Sequence, residues 1–305
     1  MFNYDPKKNE LKKRGIKYHA FFFDVILNLL ETFSRKNQLM PKVSIIIPCY
    51  NHGDYLNDAV ESALDQTLQD FEVIIVNDGS TDASTIKQIN AYDNPLIKVI
   101  NIDNSGVSTA RNTGIEKARS PYILPLDADD KIGNNYCKYA VDILDKNFSV
   151  GIVYCQAGNF GKKDGKWDLP KFSIQRMLSA NIIFSAGFFR KSDWEKVGGY
   201  NSNMVHGLED YDFWLSILGL GREVYQIPEI MFYYRMHKVK SHSRSKRMDN
   251  YQRIEAQQQI FQNQKELYTH HVDVLFEMIS NLQKENLQLN EKKLSKRFQS
   301  IFKKS

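Results

Sequence analysis

Short apolar runs alternate with helical patterns through the middle of the chain. Val43–Ile47 is a β-branched, nearly all-apolar run that ends at Pro48, and such a run predicts a strand buried on both faces. The alternation continues with predicted strands at 71–76, 97–101 and 121–126 and predicted helices near 54–67, 82–91 and 106–118. Strands and helices that alternate with short loops form a parallel sheet with helices on both faces. We therefore expect an α/β fold here.

The second half of the chain is less regular, and its end is helical. Strands are predicted at 150–155, 182–189, 224–227 and 230–234, with helices at 194–197 and 209–218. Beyond about residue 248, apolar residues recur every seven positions, at Ile254, Phe261, Tyr268, Leu275, Leu282 and Leu289. The second column that a coiled coil requires is apolar only at Val272 and Ile279. Two interpretations stay open: a homodimer through this helix, or a helix that packs on its own body.

The first 40 residues predict a separate extension that is basic and amphipathic. Read as a helix, it places its apolar residues on one face, at Phe22, Ile26, Leu29, Leu30 and Phe33. The most apolar stretch, 21–30, is shorter than the roughly 20 residues of a membrane span and contains Asp24 and Asn28. No small-residue cleavage site follows, so we do not expect a signal peptide. The extension either packs on the body or a partner, or binds in a membrane interface.

Charge is unevenly distributed, although the composition is that of an ordinary globular protein. Of the 305 residues, 42% are hydrophobic and 25% are charged, and the length indicates about two structural units. The net charge of +5 comes from three basic segments, 1–19, 238–247 and 291–305, and the rest of the chain is acidic. This distribution favours an anionic membrane surface or a phosphate-bearing ligand over nucleic acid. Three cysteines without a CxxC motif predict buried, reduced thiols in a cytoplasmic protein.

Three carboxylates follow the predicted strand at 121–126, in the segment Asp127-Ala128-Asp129-Asp130. Carboxylates this close repel one another unless a cation lies among them. Mg²⁺ and Mn²⁺ are typically held by one or two carboxylates together with phosphate oxygens. The alternative is structural, because Asp129 and Asp130 are also suited to cap a helix that begins near Asn134.

A further acidic residue, Asp78, follows the predicted strand at 71–76. The surrounding sequence, Asn77 to Asp82, suits a turn or a helix cap, and a structural role is therefore one interpretation. The functional alternative is a carboxylate that accepts an N–H from the edge of a nucleobase. Because ligands of parallel sheets bind where the carboxyl ends of the strands meet, both acidic segments predict a ligand site at that edge.

Seven segments resemble, in order and spacing, the GT-A-fold glycosyltransferases of family 2. They are Val43–Asn51, Val76–Asp82, Asn104–Gly114, Leu126–Asp130, Gly198–Tyr200, Glu209–Trp214 and Tyr234–His237. The resemblance covers about 41–240 and implies a GT-A domain at 41–245, an α/β fold with a Rossmann-like nucleotide-binding sheet flanked by helices. The N-terminal extension at 1–40 and a C-terminal helical region at 246–305 lie outside it.

The resemblance implies a nucleotide-diphosphate sugar as donor, with UDP favoured, and a divalent metal, Mn²⁺ or Mg²⁺. The residues assigned to the donor are Pro48, Tyr50, Asn51, Asp78, Arg111, Asp127, Ala128 and Asp129. Among them, Asp78 would bind the base and Asp127 the ribose, whereas Arg111 would either approach the diphosphate or pair with a carboxylate. Asp129 and His237 are the implied metal ligands, and an imidazole beside a carboxylate suits Mn²⁺.

The Glu209-Asp210 pair carries the implied chemistry. Inverting transfer needs one base, which takes the proton of the acceptor hydroxyl as that hydroxyl attacks the anomeric carbon. The resemblance assigns this role to Asp210, and Glu209 then either binds the acceptor or completes a helix cap. Trp194 is a further candidate for contact with the acceptor, and packing in the core is the alternative.

These residues predict an inverting glycosyltransferase that acts on a glycan or lipid-linked acceptor in bacterial cell-surface polysaccharide synthesis, at the cytoplasmic face of the membrane. A dinucleotide-binding dehydrogenase is excluded because a single glycine, Gly53, follows the first predicted strand. The alternative function is a non-catalytic nucleotide-sugar-binding or assembly subunit of a glycan-synthesis complex. The basic run 238–247 is a solvated loop, a patch on lipid, or a lid over the diphosphate.

Overall fold

The computed structural model describes residues 40–237 and 248–302, with side chains as far as 292. Three predictions therefore lie outside the described residues. They concern the extension at 1–40, of which Met40 alone is described in this part, the lid at 238–247, and the side chains of the basic tail from 293 onward. Among the described residues, no helix combines the length and the apolar character that crossing a membrane requires.

Within the described part of the chain, nine strands form one mixed sheet. In chain order they are β1 (Val43–Cys49), β2 (Phe71–Asp78), β3 (Ile97–Ile102), β4 (Tyr122–Pro125), β5 (Lys131–Ile132), β6 (Val150–Gly161), β7 (Gly165–Trp167), β8 (Phe188–Arg190) and β9 (Glu223–Met236). The order across the sheet is β3-β2-β1-β4-β8-β6-β9-β5, and β7 pairs with β6 off this path. Strands β3, β2, β1 and β4 are parallel, which confirms the prediction for the first half.

Ten helices accompany the sheet in the described residues. They are α1 (Gly53–Leu64), α2 (Ala83–Asn90), α3 (Val107–Lys117), α4 (Tyr136–Lys146), α5 (Ile174–Ser179), α6 (Lys191–Val197), α7 (Glu209–Gly219), α8 (Asn250–Asn263), α9 (Lys265–His270) and α10 (Val272–Phe302). Helix α3 packs closely on β1, because a Cβ at Gly114 would lie 2.5 Å from Cγ2 of Ile46. This close packing holds Arg111, on the same helix, near the strand ends.

The core is built around β1, whose seven residues are all buried. Val43 pairs with Phe71 of β2 on one side and with Tyr122 of β4 on the other. Because these strands run in the same direction, their carboxyl ends meet at one edge of the sheet, and the polar segments that follow them come together there. All three cysteines are buried, without a disulfide, as predicted.

The predicted strands at 224–227 and 230–234 are one strand, β9. The gap between the two predicted strands is a local irregularity in the pairing of β9 with β6. Cys155 of β6 lies opposite Ile227, and the next residue, Gln156, lies opposite Ile230. Pro228 lies in the gap and has no N–H to donate, so the ladder bulges without ending.

The C-terminal region is helical, as predicted, but consists of three helices that bend at Gln264 and His271. The side chains that α8 and α9 bury are Ala256, Ile260 and Leu267. The predicted column of every seventh residue is not the packed face, because four of its members are exposed: Ile254, Phe261, Leu282 and Leu289. Helices α8 and α9 thus pack on the body, and a homodimer through this region stays a prediction.

Candidate active site

Asp78 organises the loop between β3 and α3. Its Oδ1 accepts the N–H of Ser105 at 2.7 Å and its Oδ2 accepts the N–H of Gly106 at 3.0 Å. The carboxylate is buried at the N-terminus of α3, where the helix dipole stabilises negative charge. Asp78 therefore has a structural role, but it holds the loop before α3 and does not cap the helix that follows it, whose N-cap is Asp82. Each carboxylate oxygen has a second lone pair, so a base N–H can still be accepted.

Asn51 joins the loop after β1 to the loop after β2. Its Oδ1 accepts the N–H of Thr81 at 2.9 Å and the N–H of Asp82 at 3.0 Å. Asn51 has a left-handed backbone, with φ of 54°. Its side-chain oxygen thus joins the two loops, and Tyr50 beside it is 45% exposed and accessible to a ligand.

Arg111 is a buried cation that bridges two carboxylates. Its Nη2 donates to Oδ1 of Asp127 at 2.7 Å, and its Nη1 donates to Oε1 of Glu209 at 2.8 Å. Burial lowers the pKa of Arg111, but the attraction of Asp127 and Glu209 raises it by more, so the guanidinium stays charged. Of the two roles that the sequence left open for Arg111, pairing with a carboxylate is the one observed.

Asp129 and His237, the two predicted metal ligands, are in contact. Oδ2 of Asp129 lies 2.7 Å from Nε2 of His237, and the imidazole packs against the ring of Tyr55. Within the described ranges, no three His, Cys, Asp or Glu side chains converge as a metal site. A carboxylate with an imidazole nevertheless fits a Mn²⁺ or Mg²⁺ whose other ligands are diphosphate oxygens and water.

Asp130 has a structural role, but it does not cap helix α4. The N-cap residue of α4 is Asn135, which ends the alternative that Asp129 and Asp130 cap this helix. Instead, Oδ1 of Asp130 accepts the main-chain N–H of Arg235 at 2.9 Å. Burial, and then the charge of Asp129, raise the pKa of the Asp130 carboxyl well above its ordinary value.

Arg235 is a site residue that the sequence reasoning missed. Its Nε donates to the main-chain oxygen of Asp129 at 2.7 Å, and its guanidinium pairs with Asp58. The guanidinium also stacks between the rings of Phe160 and Tyr55, at 4.3 Å and 4.9 Å from their centroids. Arg235 therefore fixes the main chain at Asp129 from the end of β9. Its position two residues before His237 was the available signal.

Asp210 lies in the first turn of α7, beside Glu209. Nδ2 of Asn181 donates to its Oδ2 at 3.1 Å, and Oδ1 accepts the N–H of Tyr211 at 2.8 Å. Burial, and then the charge of Glu209, raise the pKa of the Asp210 carboxyl to about 7. A carboxyl group that titrates near neutral pH can accept a proton from a hydroxyl. The residue before this helix, Leu208, has a left-handed backbone with φ of 67°.

A loop that includes most of the strand predicted at 182–189, and Asn181 before it, contributes two polar side chains to the site. The strand predicted at 182–189 is limited to Phe188–Arg190, and the residues before it form a loop. In this loop, Oγ of Ser185 donates to Oδ2 of Asp127 at 3.0 Å, and Asn181 holds Asp210. The apolar residues of the loop misled the prediction, because they pack in the core without joining the sheet.

The remaining predicted residues lie in the frame of the site. Pro48 and Ala128 are buried, and their contact with a donor stays a prediction. Nε1 of Trp194 donates to Oδ1 of Asn112 at 3.0 Å, and the indole lines a surface cavity of about 280 Å³. Asn112 also accepts the N–H of Tyr200 at 2.9 Å. Trp194 is thus partly used in packing, and its contact with an acceptor stays a prediction.

The sheet and its flanking helices have the architecture of GT-A glycosyltransferases. TarS of S. aureus, crystallised with UDP-GlcNAc, superimposes with a TM-score of 0.57 and 20% identity over 65% of this chain and 60% of that one. The mannosyltransferase PcManGT of Pyrobaculum calidifontis, crystallised with GDP-Man and Mn²⁺, gives 0.54 and 19% over 67% and 59%. These similarities confirm the predicted fold class.

Residues 44–198 match glycosyl transferase family 2, and the chain belongs to this family, as the sequence motifs indicated. Chondroitin synthase of Escherichia coli is 33% identical over 187 residues, which are 60% of this chain. The matched region spans 27% of that protein. The part of this chain that matches thus spans about a quarter of the length of this relative.

Proposed function

We propose that the protein is an inverting glycosyltransferase that moves a sugar from a nucleoside-diphosphate sugar, with UDP favoured, to a hydroxyl group. The observation that carries this proposal is the position of the Asp210 carboxyl, in the first turn of α7 beside Glu209, where Asn181 donates to it. Burial, and then the charge of Glu209, raise the pKa of this carboxyl to about 7. Family membership supports sugar transfer. The complexes of TarS with UDP-GlcNAc and of PcManGT with GDP-Man support a nucleotide sugar as the donor.

The donor would bind along the carboxyl ends of β1, β2 and β4. Tyr50 is exposed beside the loop that Asp78 organises, so an aromatic face and a carboxylate are both available to a nucleobase. Asp127 is 34% exposed although Arg111 and Ser185 hold its carboxylate, which leaves lone pairs for ribose hydroxyls. Because Arg111 is engaged by Asp127 and Glu209, it would stabilise the site without touching the diphosphate.

Asp210 would act as the base. The acceptor hydroxyl passes its proton to a carboxylate oxygen as its own oxygen forms the new bond to the anomeric carbon, and the nucleoside diphosphate leaves from the opposite face. A single carboxylate suffices, and no covalent intermediate with the protein forms. Asn181 orients the Asp210 carboxylate. Arg111 binds the neighbouring Glu209 and so keeps the negative charge of Glu209 beside Asp210.

Asp129 and His237 would hold the divalent metal. When bound, such a metal neutralises charge on the diphosphate as the bond to the sugar breaks. Arg235 supports this position, because it donates to the main-chain oxygen of Asp129 while the Asp129 carboxylate contacts His237. PcManGT was crystallised with Mn²⁺, which supports a metal at this fold.

The acceptor proposed here is a glycan or a lipid-linked saccharide of the bacterial cell surface. The similarity to a chondroitin synthase supports a polysaccharide product. The basic segments 1–19 and 291–305 support peripheral binding to the cytoplasmic face of the membrane, where lipid-linked acceptors are found.

A screen of donors tests the proposed function. Thermal unfolding is measured with UDP-, dTDP- and GDP-sugars in the presence of Mn²⁺, and any stabilising donor is then assayed for turnover with and without saccharide acceptors. We expect a UDP-sugar to raise the Tm and to be consumed faster when an acceptor is present. A donor that binds but is not consumed with any acceptor would instead indicate a nucleotide-sugar-binding subunit.

A further inference from the structure

Helices α8 and α9, called here the helix pair, pack beside the helix that carries Asp210. The pair lies outside the part of the chain that matches the family, which ends at residue 198. It buries Ala256, Ile260 and Leu267 against the body. Burial of this kind shows that the helix pair is an integral part of the domain around α7.

The junction between the two helices is bound to α7 by an amide. Nε2 of Gln264 donates to Oδ1 of Asp212 at 2.9 Å and to Oγ of Ser216 at 2.7 Å. Nδ2 of Asn263 donates to the same Oδ1 of Asp212 at 3.1 Å. Asp212 is 3% exposed, and a buried carboxylate needs such donors to remain in place. Asp212 follows Asp210 by two residues in the first turn of α7.

The helix pair also holds the loop that leads into α7. Nε2 of Gln259 donates to the main-chain oxygen of Asn203 at 3.0 Å, and Nε2 of His206 lies 3.2 Å from Oε2 of Glu255. This loop ends at Leu208, whose left-handed backbone is a strained conformation for a residue with a side chain. Strain of this kind persists only where surrounding contacts enforce it.

A third set of contacts reaches the segment that orients Asp210 from the other side. The Tyr268 hydroxyl donates to the main-chain oxygen of Leu178 at 3.1 Å, and the Tyr211 hydroxyl donates to that of Met177 at 2.6 Å. Met177 and Leu178 belong to α5, which shortly precedes Asn181, the donor to Asp210. The helix pair is therefore bound both to the first turn of α7 and to α5, the helix just before Asn181. The contact between Asn181 and Asp210 orients the Asp210 carboxylate.

We infer that the helix pair positions the catalytic base, and that Gln264, through Asp212, is the positioning residue on which this depends. The inference rests on the proposed function in that Asp210 is the base. The first turn of α7 and the loop after α5 belong to separate parts of the chain, and the helix pair fixes them together. A displacement of about 1 Å at such a group can lower a rate by about 100-fold.

The Gln264→Glu substitution tests the inference, because it keeps the size of the side chain and sets a carboxylate against Asp212. With the proposed donor at pH about 8, we expect kcat to fall by about 10- to 100-fold. The dissociation constant of UDP should change by less than about twofold, since the proposed UDP site lies at the carboxyl ends of β1, β2 and β4. Gln257→Glu, the same change at an exposed position of α8, should leave both values unchanged.

The double variant Gln264→Glu/Asp212→Asn supplies the rescue. The new amide can donate to the new carboxylate and still accept from Asn263, so the contact is rebuilt with its polarity reversed. We expect kcat to recover to within about threefold of the wild type. A single variant with wild-type kcat, or a double variant as slow as the single one, would overturn the inference.

Hydrogen exchange gives a readout that does not depend on activity. In Gln264→Glu, the amides of the loop and first turn at 201–212 should exchange faster, while those of β1, β2 and β4 remain as in the wild type. If the wild-type protein transfers no sugar, the proposed function fails, and the exchange pattern still decides whether Gln264 holds the first turn of α7. Unchanged exchange at 201–212 would overturn the inference by itself.

Discussion

Asp210 is a carboxyl group that the fold keeps poorly solvated beside another carboxylate. Burial, then Glu209, raise its pKa to about 7 from an ordinary value of 3.8. The folded protein therefore holds this proton more tightly than the unfolded chain does. Between pH 3.8 and about 7, Asp210 is protonated in the folded protein and ionised in the unfolded chain, so unfolding releases a proton. The contribution of this group to the free energy of unfolding therefore falls as the pH rises through this range. The arrangement is destabilising at neutral pH, as is common for groups tuned to catalysis.

The Asp210→Asn variant should consequently be more stable than the wild type at pH about 8, by roughly 1–3 kcal/mol. Near pH 4 both residues are neutral in the folded protein, and the difference should vanish. Urea denaturation at the two pH values measures this. A variant that is less stable than the wild type at the higher pH would show that Asp210 is not held at a raised pKa.

Arg111 should set the pH at which Asp210, the proposed base, loses its proton. Its charge lowers the pKa of Asp210, so the Arg111→Met variant should need a higher pH to deprotonate the base. It should also lose about 3–5 kcal/mol of stability, because Asp127 and Glu209 are left without their shared partner. The pH profile of kcat is the measurement.

The matched control is Lys42→Met, since Lys42 also pairs with a carboxylate, that of Asp145, but both side chains are exposed, at 47% and 41%. This control should cost no more than about 1 kcal/mol and leave the pH profile in place. If Arg111→Met shows the wild-type pH profile, Arg111 does not act on the base.

At the level of elements, the close contact between the loop after β2 and the loop between β3 and α3 depends on one glycine. Gly79 follows β2 with φ of +66°, and a Cβ there would lie 2.5 Å from the main-chain N of Asn104. Gly79→Ala must therefore displace the loop that Asp78 organises, and we expect UDP affinity to fall about tenfold, or about 1.4 kcal/mol. Isothermal titration with UDP measures the change.

Gly221→Ala separates this effect from backbone strain. Gly221 has φ of +76°, but a Cβ there would meet no atom within 4 Å. It should lower stability by about 1–2 kcal/mol through strain and leave UDP binding unchanged. Equal UDP affinity in the two variants would mean that the Asn104–Gly106 loop does not border the donor site.

The elements of the first half could be predicted because β1, β2 and β4 are mostly apolar and almost entirely buried, and polar turn residues follow them. The rule that parallel strand ends meet at one edge then predicted that Asp78 and Asp129 lie at the ends of β2 and β4, as they do in the structure. Pairing with a carboxylate was one of the two roles predicted for Arg111, but its partner Glu209 could not be predicted, because Glu209 is 98 positions away and only the folded chain brings them together. The same holds for Asn181, whose importance lies entirely in its contact with Asp210.

The whole molecule combines an acidic body with basic segments at both ends, which is the basis for the proposed membrane contact. Each basic residue near an anionic surface contributes about 1 kcal/mol, so the segments 1–19 and 291–305 could together hold the protein there. We expect it to sediment with anionic vesicles at low salt and to be released at high salt or on deletion of either segment. Protein that stays in the supernatant with anionic vesicles at low salt would contradict this proposal.

Sugar transfer by Asp210→Asn and by the wild type, with the same UDP-sugar and acceptor, tests most directly whether Asp210 is the base. The substitution is nearly isosteric, so UDP affinity should change by less than about twofold while kcat falls by about 10²- to 10⁴-fold. Exposed Asp142→Asn serves as the matched control and should keep wild-type kcat. NMR of the wild-type product should show an inverted anomeric configuration. An Asp210→Asn variant with more than about a third of wild-type kcat, or a product of retained configuration, would contradict the mechanism.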